Sequence, residues 1–125
     1  ISFQRIYIDY DDTVTYNDGK AVNPYVIAFL YQCLAKGLVV CLLTRHEATF
    51  GERVDESMER LGISSHLFQK VFSLSWNEKK TDVMDTKEKS IFIDNSFTER
   101  KAVHDVMGIP VFDVSNLDCL FDWRA

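Results

Sequence analysis

Six consecutive apolar residues, Leu38-Val39-Val40-Cys41-Leu42-Leu43, most narrow what this chain can fold into. A strand with one wet face alternates apolar and polar side chains, whereas one with no polar position must be covered on both faces. Sheets covered in that way are mostly parallel, and parallel neighbours need a crossover, usually a helix. The remaining chain supplies those units. Strands are predicted at Phe3 to Asp9, Leu38 to Leu43, Val71 to Leu74, Ser90 to Asp94 and Ile109 to Phe112. The last is edge-like, because Pro110 cannot donate to a ladder.

Helices fall between the strands. Asn23 is a cap with Pro24 at the first helical position, and Val26, Ile27, Phe29, Leu30, Cys33 and Leu34 form an apolar stripe ending at Gly37. A second helix is predicted over Thr49 to Leu61, stopped by Gly62. A brief one spans Lys80 to Met84, and another, capped by Ser96, reaches Met107. Asn17-Asp18-Gly19 favours a tight hairpin between Val14 and Val22. The tail from Asp113 is read as a short helix with a frayed end, where Trp123 packs with Leu120 and Phe121. The expected class is α/β: a mainly parallel five-stranded sheet with helices on both faces, in one domain spanning residues 1–125.

A net charge of −5, with no Lys/Arg cluster beyond a pair, argues against nucleic-acid binding. No apolar run approaches membrane-spanning length, and no signal-peptide pattern is present. Cys33, Cys41 and Cys119 cannot all pair. All three are expected to be reduced, the first two as core residues of a cytoplasmic protein. The chain starts at Ile1 and enters its first strand almost at once, as expected for a domain of a longer polypeptide.

Polar residues then mark three strand ends. Asp9 and Asp11 follow the first strand, Thr44 the second, and Asp94 with Asn95 the fourth. In open α/β sheets, ligands bind beyond the carboxyl ends of the strands. Carboxylates packed so closely need a cation or a shared proton, and their hard oxygens suit Mg²⁺. Lys79-Lys80 precedes the brief helix. Arg45 and His46 are expected to border the pocket: Arg45 is either a holder of a second anionic group or an ion-pair partner of Glu47 or Glu52, and His46 is a candidate substrate contact, though read first as a surface residue. His66 and His104 are read as structural. Tyr16 and Asn17 are expected on the hairpin beside the site, within reach of a substrate. Trp76 is either a loop anchor or part of a partner surface.

These segments resemble the four motifs of the haloacid dehalogenase-like superfamily over nearly the whole chain. Asp9-Tyr10-Asp11-Asp12-Thr13 matches its Asp-x-Asp-x-Thr/Val motif after an apolar strand. Val39 to Thr44 matches the strand ending in Thr or Ser, Lys80 the lysine at a helix start, and Ile91-Phe92-Ile93-Asp94 the acidic strand end. The resemblance implies a Rossmann-like three-layer sandwich with strand order 5-4-1-2-3. It implies Asp9 as nucleophile, forming an aspartyl-phosphate, and Asp11 as general acid and base. Thr44 and Lys80 would contact the phosphate, with Arg45 as a further substrate contact. Mg²⁺ would be held by Asp9, the Asp11 carbonyl and Asp94. Asn95 stands where many phosphatases carry a second acidic residue, either as a ligand or acting on a ligated water, and Glu99 is a candidate outer substitute. Asp11 favours phosphatase or phosphomutase chemistry over dehalogenase or ATPase chemistry.

The segments between Thr13 and the second strand, and between Thr44 and Lys80, are too short for a cap domain. An uncapped member is expected to act on a phosphorylated small molecule, or on an exposed phosphate of a larger substrate. The alternative is a non-catalytic or regulatory domain fused to, or binding, a ligase or synthetase. Two further readings rank below these. Ile93 to Arg100 resembles members acting on acyl-carrier proteins, hence a phosphotransferase. A receiver-type signalling domain would need a carboxylate where the third strand instead ends in Ser73-Leu74-Ser75.

Overall fold

The structure is a computed structural model that describes residues 3–85 and 87–121. Trp123 lies outside them. Five strands form one parallel sheet: β1 (Arg5–Ile8), β4 (Val39–Thr44), β5 (Lys70–Ser73), β6 (Ser90–Ile93) and β7 (Val111–Phe112). The order across it is β5-β4-β1-β6-β7. This differs in its labels from the predicted 5-4-1-2-3 because a separate hairpin takes the numbers β2 (Thr15–Tyr16) and β3 (Ala21–Val22). Strand β1 lies at the centre, between β4 and β6. Ile8 is level with Leu42 on one side and Ile93 on the other, so β1 and β6 end together while β4 runs on to Thr44.

Alternating apolar side chains on the central strands explain the two-sided burial. Ile6, Ile8, Val40, Leu42, Ile91 and Ile93 pack on one face against Val26, Phe29, Leu30 and Cys33 of α1 (Pro24–Ala35), with Val54 and Met58 of α3 (Val54–Leu61). Tyr7, Cys41, Leu43 and Phe92 alternate with them and pack on the other face against Val103 and Met107 of α4 (Phe97–Met107) and against Met84. Burying each large apolar side chain contributes about 1.5–3 kcal/mol before conformational entropy is set against it. The predicted cap at Asn23 is present: its side chain accepts from the backbone N–H groups of Tyr25 and Val26.

Several boundaries depart from the sequence expectation. The helix predicted over Thr49 to Leu61 is two helices, α2 (His46–Phe50) and α3. Gly51, at φ 71, closes α2 in the left-handed conformation, and extended Arg53 starts α3. The segment after Lys79 is one 3₁₀ turn, Lys80–Val83, braced by Asp82 accepting from the Lys79 N–H at 2.9 Å. The tail adds a 3₁₀ helix at Val114–Leu120. The hairpin strands are only two residues each. Asn17 and Asp18 (both φ 55) and Gly19 (φ 74) turn through positive φ between them. Among the described residues no helix is long and apolar enough to cross a membrane. The three cysteines are free, with Cys33 and Cys41 buried and Cys119 exposed.

Candidate functional site

Strand register builds the site. Asp9 directly follows β1 and stays in the ladder through its N–H, which donates to the Ile93 carbonyl. Asp94 directly follows β6 and does the same with Phe112. Two adjacent parallel strands therefore deliver two carboxylates to one place. Both are buried, and so is Lys80. The Lys80 ammonium lies 2.8 Å from Asp9 Oδ1 and 2.8 Å from Asp94 Oδ2. Lys80, and not exposed Lys79, is the lysine of the site. Asp82 holds the Lys79 backbone, and the turn beginning at Lys80 then aims that side chain inward.

The remaining carboxylate oxygens are held as well. Thr13 Oγ1 donates to Asp9 Oδ2 at 3.2 Å and accepts from the Asn95 N–H at 3.2 Å. Asp94 Oδ1 accepts from the Ser96 N–H, and the Asp94 carbonyl accepts from Arg100. Thr13 thus ties the loop after β1 to the loop after β6. In the Asp-x-Asp-x-Thr pattern Thr13 is only the closing residue, and nothing local to it signals this bridging role.

Charge does not balance in this cluster. Two carboxylates share one ammonium. Burial pushes the Asp9 carboxyl up to about 7, with nearby Asp94 pushing the same way and Lys80 only partly offsetting it. Burial alone would lower Lys80, but Asp9 and Asp94 together hold it above its ordinary value. A raised carboxyl pKa means that the folded protein holds a proton the unfolded chain has released. Asp9 therefore stabilises the fold most below pH 3.8, and this contribution is lost as pH rises to about 7. In metal-free buffer, urea unfolding at pH 5 and pH 8 should show Asp9→Asn gaining stability relative to the parent at the higher pH. An equal difference at both values would mean that Asp9 titrates normally.

A cavity of about 390 Å³ opens above this cluster, lined by Asp9, Lys80, Asp94 and Asn95 on one side and by Arg45, Phe50 and Trp76 on another. Asn95 is exposed on it. Arg45 is not paired with Glu47 or Glu52. Its guanidinium donates to the carbonyls of Ser75 and Glu78, meets Glu99 at 3.5 Å and lies 5.1 Å from the Trp76 ring centroid. It therefore anchors the loop that carries Trp76 and leads to Lys80. Trp76 itself is exposed. Glu99 reaches the cavity rim, but its ion pair is with Arg45.

Thr44 ends β4 fully buried, level with Ser73 of β5 and outside the residues that line the cavity, and its Oγ1 accepts from the His46 N–H at 3.0 Å. A hydroxyl that accepts still has its hydrogen to donate. Asp11 is half-buried on the cavity. Burial raises its carboxyl pKa, and the His46 hydrogen bond partly offsets this.

The histidine assignments are reversed. His46, read as a surface residue, is buried, with Nδ1 2.8 Å from Asp11 Oδ1 and Nε2 2.8 Å from Glu52 Oε1. His66 and His104, read as structural, are exposed. Tyr16 and Asn17 are exposed on the hairpin, but Asp18 and Gly19 are the hairpin residues that line a cavity, one of about 300 Å³ shared with Asp11, His46, Phe50, Glu52 and Arg60. Among the described residues no group of three or more His, Cys, Asp or Glu side chains is arranged to hold a metal. No family model matches the chain, and neither does any curated protein or solved structure.

Proposed function

We propose that this chain is a Mg²⁺-dependent phosphohydrolase of the haloacid dehalogenase-like type, with a Rossmann-like three-layer fold and no cap domain. It hydrolyses a phosphate monoester through an acyl phosphate on Asp9. One observation carries the reading: carboxylates from two adjacent parallel strands share one buried lysine beneath an open cavity. A purely structural core has little use for this arrangement. Apolar residues of similar volume are often as stabilising as a buried ion cluster, or more so.

The donor set suits a hard cation. Asp9 and Asp94 converge on the Lys80 ammonium, which cancels only one of their two charges and leaves negative charge beside it for a cation. Mg²⁺ takes one or two carboxylates and keeps several waters, so a third protein carboxylate is not required. Asp9, Asp94 and the Asp11 carbonyl would hold it, with Asn95 beside them. When bound, it would neutralise charge on the phosphoryl oxygens.

The chain's own residues do the rest. An Asp9 oxygen attacks phosphorus as the ester oxygen departs, and Asp11 protonates that oxygen. Asp11 then takes a proton from the water that attacks the acyl phosphate. Inorganic phosphate leaves and the Asp9 carboxylate is restored. Lys80 offsets the charge carried by Asp9 and the phosphoryl group, and the Thr44 hydroxyl donates its hydrogen to a phosphate oxygen. Arg45 supports the cavity wall beside the substrate's alcohol portion.

The test is a panel of phosphate monoesters assayed with and without Mg²⁺. Turnover that needs the metal supports the reading, and turnover indifferent to chelator opposes it. Asn95→Asp refines it. A new carboxylate on the cavity adds ligand charge, so half-saturation by Mg²⁺ should fall about 10-fold, the lower end of what neighbouring ligands contribute. An unchanged Mg²⁺ titration would leave Asp9 and Asp94 as the side-chain ligands, without help from position 95.

A further inference from the structure

We propose that His46 is a positioning residue that fixes the Asp11 carboxyl group for proton transfer. This rests on the reading of Asp11 as general acid and base. The observation behind it is a chain of four side chains that starts at the cavity and runs away from it. His46 Nδ1 reaches both Asp11 oxygens, at 2.8 and 3.0 Å. A single ring nitrogen against both oxygens sets the plane of the carboxyl group as well as its position. His46 Nε2 lies 2.8 Å from Glu52 Oε1, and Arg60 holds Glu52 in turn through contacts of 2.9 Å and 3.3 Å.

The ring itself has little freedom. Tyr10 meets it edge-on at 5.4 Å and Phe50 lies at 5.0 Å. The His46 backbone N–H donates to Thr44 Oγ1, so the strand end that borders the phosphate region also sets where the ring begins. Asp11, by contrast, sits half-buried on a loop, followed by Asp12 at φ 59, and among the described residues it is His46 that hydrogen-bonds its carboxyl group. A polar ring wedged between two carboxylates is a costly way to fill space, since every member must stay partnered. Its return is orientation. Misplacing a reacting group by about 1 Å costs on the order of 10²-fold in rate.

The two ring nitrogens can be tested separately. The amide nitrogen of asparagine occupies the place of Nδ1, and that of glutamine the place of Nε2. His46→Asn thus keeps the Asp11 contact and drops Glu52, and His46→Gln does the reverse. His46→Leu drops both. With an unactivated alkyl phosphate, His46→Gln and His46→Leu should lower kcat on the order of 10²-fold with KM little changed. His46→Asn should recover much of that loss. With p-nitrophenyl phosphate the losses should shrink, because its leaving group needs little protonation. His46→Leu placed on Asp11→Asn should cost almost nothing further, since both act on one step. Circular dichroism and urea unfolding of each variant show whether the fold is kept, and His46→Asn still decides the matter if His46→Leu does not fold.

Equal losses for the two esters, or a full additional loss on Asp11→Asn, overturn the positioning role. So does His46→Gln outperforming His46→Asn. If Asp11→Asn itself treats the two esters alike, the acid role beneath this inference fails, and that result is read without any His46 variant.

Discussion

Asp9→Asn is expected to abolish Mg²⁺-dependent ester hydrolysis, lowering kcat on the order of 10⁴-fold or more, as loss of a nucleophile does. The same variant is expected to fold as well as its parent, or better at pH 8. The amide cannot displace an ester oxygen. It does remove the surplus charge from a cluster in which two buried carboxylates share one ammonium, leaving Lys80 and Asp94 as a matched pair. Loss of activity with stability retained separates chemistry from folding. An active Asp9→Asn enzyme would remove Asp9 as nucleophile, and an inactive but unfolded one would make the cluster structural. Steady-state kinetics and urea unfolding on the same preparation give both answers.

Lys80→Met is expected to produce the largest loss of stability of any single change at the site. Methionine matches the stem of lysine but leaves Asp9 and Asp94 facing each other without a cation. Removing one partner of a buried charge cluster costs about 3–5 kcal/mol. Asp9→Asn in the Lys80→Met background should restore part of this, because one of the two stranded charges goes with it. Lys79→Met, at an exposed neighbour, should change stability by less than about 0.5 kcal/mol. Urea unfolding at pH 8 measures all four proteins. Equal effects at positions 79 and 80 would contradict the burial of Lys80.

The two-sided apolar strand and the Asn23-Pro24 helix start were legible because their signals are local. A run with no polar residue and a capped proline each point to one structure, whatever surrounds them. The meeting of Asp9 with Asp94 was legible because parallel strands in register end together. The helix break at Gly51 was not. A glycine inside an apolar-periodic stretch reads as tolerated, and only its φ of 71 shows that it ends α2. Lys79 and Lys80 are alike in sequence. They are separated by the phase of a single 3₁₀ turn, which Asp82 fixes by gripping the Lys79 backbone.

His46 was misread for a different reason. A histidine flanked by arginine and glutamate has the local context of a surface residue. What buries it is Asp11, 35 residues earlier, together with Glu52 and the rings of Tyr10 and Phe50. No short window contains that set. His66 and His104 erred in the other direction, because nothing folds over them.

The central claim is that phosphorus becomes bonded to Asp9 during turnover. Acid quench within the first turnovers of radiolabelled p-nitrophenyl phosphate, with Mg²⁺ present, tests it most directly. The expected result is protein-bound label that hydroxylamine releases, as an acyl phosphate requires, recovered on the peptide containing Asp9 and absent from Asp9→Asn. Steady release of inorganic phosphate with no label ever found on the protein would contradict the account.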